Sequence, residues 1–425
     1  MREEEFIDIL KRELMPALGC TEPIAIAYAS AKARAVLGRL PDMVSIKVSS
    51  NILKNAMGVG IPGTHMVGLE IAAALGVIGG DSEAILEVLH KITKADIQNA
   101  KDYVKDHVKV SLKDTEKKLY IEVEARTSDD SAQVIIEDSH TNITRIQHGA
   151  FTIFEKSHCR DIGETGHGNS SISVEEIYHF IENVNAEKLG FLKETISLNW
   201  DIAQEGISGE YGLGVGRSIY ESQISGGQEY RPNTQEYAAA LTAAAADARM
   251  AGCKLPVMTV CGSGNQGITA TVPVIAVARK EKYSEELLYK AVALSCLITT
   301  HVKKYIGKLS PLCGCGMGSS IGVCCALIYM RGGTLEQIKS GIKNMIADVS
   351  GIICDGAKSG CALKIATVVS SAFQCAVLAL RNSSAGELDG IVSDNVETTI
   401  RNLGELGNKG MCNTDKVILN MMVCK

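Results

Sequence analysis

The chain has 425 residues, 46% hydrophobic, 22% charged and only 4% aromatic, with a formal net charge of −6 at neutral pH. That length supports a large core and more than one domain. The negative balance, without any Lys/Arg cluster, speaks against nucleic acid as a partner, and the charged, amphipathic start "MREEEFIDILKREL" is neither an export signal nor a transit peptide, which points to the cytoplasm.

Residues 3–16 place Phe6, Ile7, Leu10 and Leu14 on one face and predict a first helix. "ALGCTEP" (17–23) follows and opens a second helix, with Pro23 suited to its first turn and Cys20 at its mouth. Val44, Ile46 and Val48 alternate in a strand over 43–50. Next come the glycine-rich "NAMGVGIPGTHMVG" and an apolar helix from about Leu69. From 107 to 156, short alternating runs are separated by "SDDS" and "SHTN", which predicts an antiparallel meander. "SVEE" (173–176) and "TLEQ" (334–337) are capping-box starts, and the small-residue run "EYAAALTAAAADARMAG" suits close helix–helix approach. The expected fold is α+β and helix-rich, with an antiparallel sheet in an N-terminal domain (1–190) and an all-helical C-terminal domain (191–425).

Residues 255–278 and 309–330 carry no charge and are long enough to span a membrane. Each has Gly, Ser and Pro in its first half, so each reads as a buried loop feeding a core helix, and no membrane is expected. A homo-oligomer is left open.

Fourteen cysteines without an export signal are not expected to pair as disulfides. Cys296, Cys324, Cys325 and Cys375 lie in apolar helical runs and read as packing residues. Three cysteine–glycine sites differ: "VCGSGNQG" (260–267), "LCGCGMGSS" (312–320) and "ICDGAKSGC" (353–361). Cys313, Cys315, Cys354 and Cys361 offer soft thiolates that select zinc or an iron–sulfur cluster. Local spacing matches neither a zinc finger nor a ferredoxin, so buried structural cysteines remain the alternative. The glycines of "CGSGNQG" make an anion-receptive turn ahead of a helix, suited to a carboxylate, or a tight packed turn. It is not a dinucleotide or phosphate loop.

Taken together and in order, "LGCTEP", "VSSNILKNAMGVGIPGT", "CGSGNQG", "LCGCGMG" and "ICDGAKSGCALK" resemble the L-cysteine desulfidase family, itself distantly similar to the iron–sulfur L-serine dehydratases. The resemblance spans nearly the whole chain. It implies a 4Fe–4S cluster held by three cysteines and β-elimination of a small amino acid, L-cysteine, to pyruvate, ammonia and sulfide without pyridoxal phosphate. Carried over residue by residue, it gives Cys354 and Cys361 as the second and third ligands and Cys313, in preference to the neighbouring Cys315, as the first. Cys20 in "GCTEP" becomes the base. A helix N-terminus and a substrate ammonium both favour its thiolate. The candidates for holding the substrate carboxylate are Asn51, His65 and Asn265, with His167 behind them; Glu22 reads as a helix-start carboxylate. Lys54 and Lys358, in glycine-flanked loops, are the lysines to consider for a pyridoxal Schiff base, though nothing marks either. The competing readings are a serine or threonine dehydratase on the same cluster and a non-enzymatic cluster protein that senses iron or oxygen.

Overall fold

A computed structural model describes residues 2–64, 66–156, 172–222, 233–307 and 309–424. The fold is α+β, and the chain forms two compact units. Residues 18–171 and 415–425 make a sheet unit; residues 1–17 and 172–414 make a helical unit. Where the sequence suggested one boundary near 190, the units interleave. The reason is local burial. The first helix, Arg2–Glu13, buries Phe6 and Leu10 in the core that contains Val174, Ile177 and Phe180. The last helix, Thr414–Val423, supplies Asp415 to a buried lysine of the sheet unit.

The sheet unit is built on six strands. In spatial order they are Val108–Leu112, Met43–Val48, Tyr120–Arg126, Ser131–Glu137, Ile143–His148 and Phe151–Glu155. The meander is antiparallel as expected, but Met43–Val48 inserts beside it and pairs in parallel with Val108–Leu112, so the sheet is mixed. A parallel pair needs a long crossover. The helices Ser50–Ala56, Leu69–Gly79 and Lys94–His107 lie along it, and the first and last of these are not evident in the sequence reading. Alternating residues Val44, Ile46, Val48, Ile121, Val123, Val134 and Ile136 are fully buried, as a half-buried sheet requires. The Thr21–Leu37 helix packs on this sheet and on the Leu69–Gly79 helix. It is buried along most of its length, which explains why it lacks a polar face.

The helical unit packs Thr234–Met250, Gly264–Glu281, Glu285–Ile306, Ser320–Met330 and Cys361–Leu380 around one core. Residues Ala238–Ala246 of the first of these are buried, and their short side chains allow the close helix contacts that the composition promised. The capping boxes at Ser173 and Thr334 are both formed. One short strand interrupts the expected all-helical half: Val257–Met258 pairs antiparallel with Pro16–Ala17. The two charge-free stretches begin as buried turns and continue as core helices. Among the described residues one helix, Cys361–Leu380, is long and apolar enough to cross a membrane by length and composition alone, and 44% of its most apolar window is buried inside the protein.

Candidate functional site

In the sheet unit the chain enters the Thr21–Leu37 helix through Gly19, whose φ of 77° is left-handed. A side chain there would also collide with Pro62, 2.5 Å from the would-be Cβ. Cys20 occupies the N-cap position, but its thiol makes no capping bond. It donates to Glu22 Oε2 at 3.0 Å, and Thr21 Oγ1 donates to the same oxygen at 3.2 Å. Asn55 Nδ2 donates to Glu22 Oε1 at 3.1 Å, and His140 Nε2 stands 3.9 Å from that oxygen. Cys20, Glu22 and Asn55 are all buried. Burial pushes the Glu22 carboxyl up, but the charge of His140 and the hydrogen bonds from Cys20 and Asn55 outweigh it and hold the group below the ordinary carboxylate range. Glu22 is thus a buried anion at the centre of a polar group, not the helix-start charge its position suggested.

Two other expectations fall beside this group. Lys54 sits in the Ser50–Ala56 helix rather than a loop, is 1% exposed, and pairs with Asp415 at 2.6 Å. Asn51 Nδ2 donates to the second oxygen of Asp415 at 2.7 Å. The helical register explains this. Asn51 and Lys54 are three apart and share one face, so a single carboxylate from the last helix meets both. Removing that carboxylate takes the counter-charge from a buried ammonium. Asp415→Ala is expected to destabilise the sheet unit by about 3–5 kcal/mol. The double variant Lys54→Met/Asp415→Leu should recover most of that loss in urea unfolding. His65 and His167 lie outside the described residues.

In the helical unit, the two cysteine-bearing loops meet edge to edge. Leu312 and Ile353 form an antiparallel bridge. Cys313 N–H donates to Ile352 O at 2.9 Å, and Cys354 N–H donates to Pro311 O at 2.7 Å. This short ladder sets Cys313 and Cys354 beside each other although 41 residues separate them in sequence. Cys361 opens the Cys361–Leu380 helix, and its thiol lies within electrostatic reach of both. Cys315 begins a single π-turn, Cys315–Ser319, that runs into the Ser320–Met330 helix. The two neighbouring thiols act on each other: Cys315 lowers the Cys313 thiol and is itself raised. Burial pushes the Cys361 thiol up to about 12.

Two cations face these sulfurs. Lys303, 5% exposed on the Glu285–Ile306 helix, is driven down by burial and held up by the charges of Cys261, Cys354, Cys315 and Cys313. Lys364 bonds Asp355 and donates to Ile353 O at 2.9 Å, and its charge also acts on Cys313. Lys358 is paired with Asp355 at 2.5 Å.

The "CGSGNQG" turn packs against the same loop. Gly314, between the two cysteines, lies over the Gln266 amide, where a Cβ would come within 2.8 Å of Nε2. Asn265 is buried, with Oδ1 accepting from Arg249 Nη1 at 3.0 Å and Nδ2 directed to Met250 Sδ at 3.4 Å. Its amide therefore anchors the turn to a buried arginine of the Thr234–Met250 helix. Gln266 Oε1 and Ser319 Oγ in this unit, and Asn55 Oδ1 in the sheet unit, are buried atoms without a hydrogen-bond partner among the described residues. The sequence reading missed Gln266, Asn55, His140 and Lys303. The first two lie inside quoted motifs, whereas Lys303 and His140 carry no local signal at all.

Does the helical-unit group fit an iron–sulfur cluster? Among the described residues no three His, Cys, Asp or Glu side chains close round a single metal ion. A cubane is several ångström across and holds its thiolates farther apart than one ion would. Three soft sulfurs in mutual electrostatic reach, two lysines to offset thiolate charge and orphaned polar atoms alongside form a donor set suited to it.

Comparison with known proteins bears on the same residues. The profile of the serine dehydratase alpha chain matches residues 83–420. The chain is similar along its whole length to "UPF0597" proteins: 43% identical to one from Clostridium perfringens over 99% of this chain and 98% of that protein. One from Clostridium tetani is 41% identical over 99% of both chains. One from Oleidesulfovibrio alaskensis is 42% identical over 99% of this chain and 98% of its own.

Proposed function

Because the chain belongs to the serine dehydratase alpha chain family, an iron–sulfur dehydratase family of lyases, we propose that it is a cysteine desulfidase, releasing sulfide from L-cysteine by β-elimination in the cytoplasm. The observation that carries this reading is the meeting of Cys313, Cys354 and Cys361 in one unit, beside two lysines. Those three cysteines are the proposed holders of a 4Fe–4S cluster, which would supply an open iron as Lewis acid toward the leaving group.

The chain's own residues do the rest. Lys303 and Lys364 offset the charge of buried thiolates, which burial alone would disfavour. Cys20 takes the Cα proton. The elimination product, aminoacrylate, then hydrolyses to pyruvate and ammonia. Asn51, His65 and Asn265 remain the proposed contacts for the substrate carboxylate, with Asn51 and Asn265 anchored by Asp415 and Arg249. In the helical unit Gln266 joins Asn265, because it presents a buried carbonyl oxygen free to accept from a substrate ammonium.

The family's name favours a second reading, in which the leaving group is the hydroxyl of serine or threonine. Protein reconstituted without oxygen decides between them. With L-cysteine it is expected to release sulfide and pyruvate in equal amounts, with kcat/KM at least about tenfold above that for L-serine, a difference of about 1.4 kcal/mol in transition-state binding. The reverse preference would make it a dehydratase, and inertness toward L-cysteine, L-serine and L-threonine would leave only a cluster protein.

A further inference from the structure

We propose that Glu22 and His140 form a proton relay for Cys20, with Asn55 fixing the carboxylate between them; this rests on the reading of Cys20 as the base. The thiol does not sit at the helix mouth as a free thiolate. It donates to Glu22 Oε2 at 3.0 Å, and an anion at that distance keeps the proton on sulfur. Cys20 can serve as a base only if that proton has somewhere to go. The carboxylate offers the route. Its Oε2 accepts from the thiol, and its Oε1 faces His140 Nε2 at 3.9 Å. The order is sulfur, carboxylate, imidazole, with the carboxylate as bridge.

The geometry around the bridge is built rather than incidental. Glu22 lies one residue into the first turn, two after Cys20, so the helix start fixes their separation. Asn55 reaches it from the Ser50–Ala56 helix with a 3.1 Å bond that locks the carboxylate plane. His140 comes from the turn between Ser131–Glu137 and Ile143–His148. Asn55 Oδ1 is buried and has no partner among the described residues, so this polar group has an acceptor left over for a ligand donor. A substrate α-ammonium is such a donor, and its positive charge would favour loss of the thiol proton on binding.

The balance is simple. The His140 imidazolium, whose charge holds Glu22 down, first gives its proton to solvent. The S–H bond of Cys20 then breaks, an O–H bond forms on Glu22, and that proton reaches the vacated imidazole by closure of the 3.9 Å gap or through one water. The Cys20 thiolate then removes the Cα proton, forming S–H. The Cα–H electrons become the Cα=Cβ bond, and the Cβ–S pair leaves with HS⁻. His140 is then again the imidazolium, Glu22 the carboxylate and Cys20 the thiol, with one proton released to solvent. Imidazole is the group whose ordinary pKa suits holding a proton for part of a cycle near neutrality. Glu22 and His140 act through Cys20 and are positioning residues.

The test uses the reconstituted, full-length protein and two readouts. Glu22→Gln should lower kcat about 100-fold while KM moves less than about threefold, the scale of a lost acid–base contribution. Glu22→Asp should recover part of the rate, and iron content and circular dichroism should match wild type. His140→Gln should also slow iodoacetamide alkylation of Cys20, resolved by peptide mass spectrometry at a fixed pH of about 7.5, by about tenfold, since it removes the proton's resting place. Wild-type kcat in Glu22→Gln, or wild-type alkylation of Cys20 in His140→Gln, overturns the relay. If Cys20→Ser is inactive while both relay variants are normal, the relay alone fails. Should Cys20→Ser keep wild-type turnover, it is the reading of Cys20 as base that falls, and the relay with it. If wild type turns over no amino acid tried, the alkylation rate still decides whether His140 governs the thiol.

Discussion

Cys354→Ala, isolated and reconstituted without oxygen, is expected to hold far less iron and sulfide than wild type and to lose turnover with it. The physical reason is the short ladder between the two loops. It places Cys313 and Cys354 side by side through backbone bonds of 2.9 and 2.7 Å, which an alanine leaves in place. Loss of iron would then report loss of a sulfur ligand and not collapse of the loop. Cys313→Ala and Cys361→Ala should behave alike. Cys315→Ala should not, because the family resemblance places the first ligand at Cys313, the residue that the backbone ladder sets beside Cys354, while Cys315 opens the π-turn that follows. Cluster ligands must be thiolates. Iron retained in Cys354→Ala and lost in Cys315→Ala would reassign the ligands; iron retained in all four would remove the cluster from these loops. Activity is not needed for this experiment, so it stands apart from any question of substrate.

Cys20→Ser is expected to keep wild-type iron and lose about 10²–10⁴-fold in kcat, the range for removing a positioned acid–base group. Serine keeps the shape and the hydrogen bond to Glu22, so the helix start should survive. What it lacks is acidity: an alcohol gives up its proton far less readily than a thiol, even with a relay behind it. Normal turnover in Cys20→Ser would mean that another group takes the Cα proton. A matching loss of iron would mean that the two effects are not separable by this variant and that the base must be sought through α-deuterium exchange in wild type.

Local sequence carried a good deal of this protein. The period of the apolar residues marked the first helix and the strand at Met43–Val48, and both form. Serine or threonine followed three residues later by Glu or Gln marked helix starts at Ser173 and Thr334, because a capping box is closed by neighbours in the chain. The helix after Cys20 belongs to the same class, and the chain-wide set of motifs brought the family within reach. What local sequence misjudged were features decided by distant partners. The Met43–Val48 strand takes a parallel neighbour, Val44 opposite Val108, which alternation alone does not specify. Asn51 and Lys54 read as residues of a glycine-rich loop, but they lie in the Ser50–Ala56 helix and the last helix brings Asp415 to both.

The same division runs through the candidate site. Sequence by itself determined which atoms are available: soft sulfurs beside glycines, a thiol at a helix start, amides in tight turns. Tertiary structure alone decided which of them meet. It laid Cys313 against Cys354 by a backbone ladder, turned Lys303 from an anonymous helix residue into a buried counter-charge, and made Glu22 a buried anion facing His140. Residue type and spacing fix chemistry within a turn or two of the chain. Charge and hydrogen bonding depend on distances in space and on exclusion of water, and those exist only once the chain has packed.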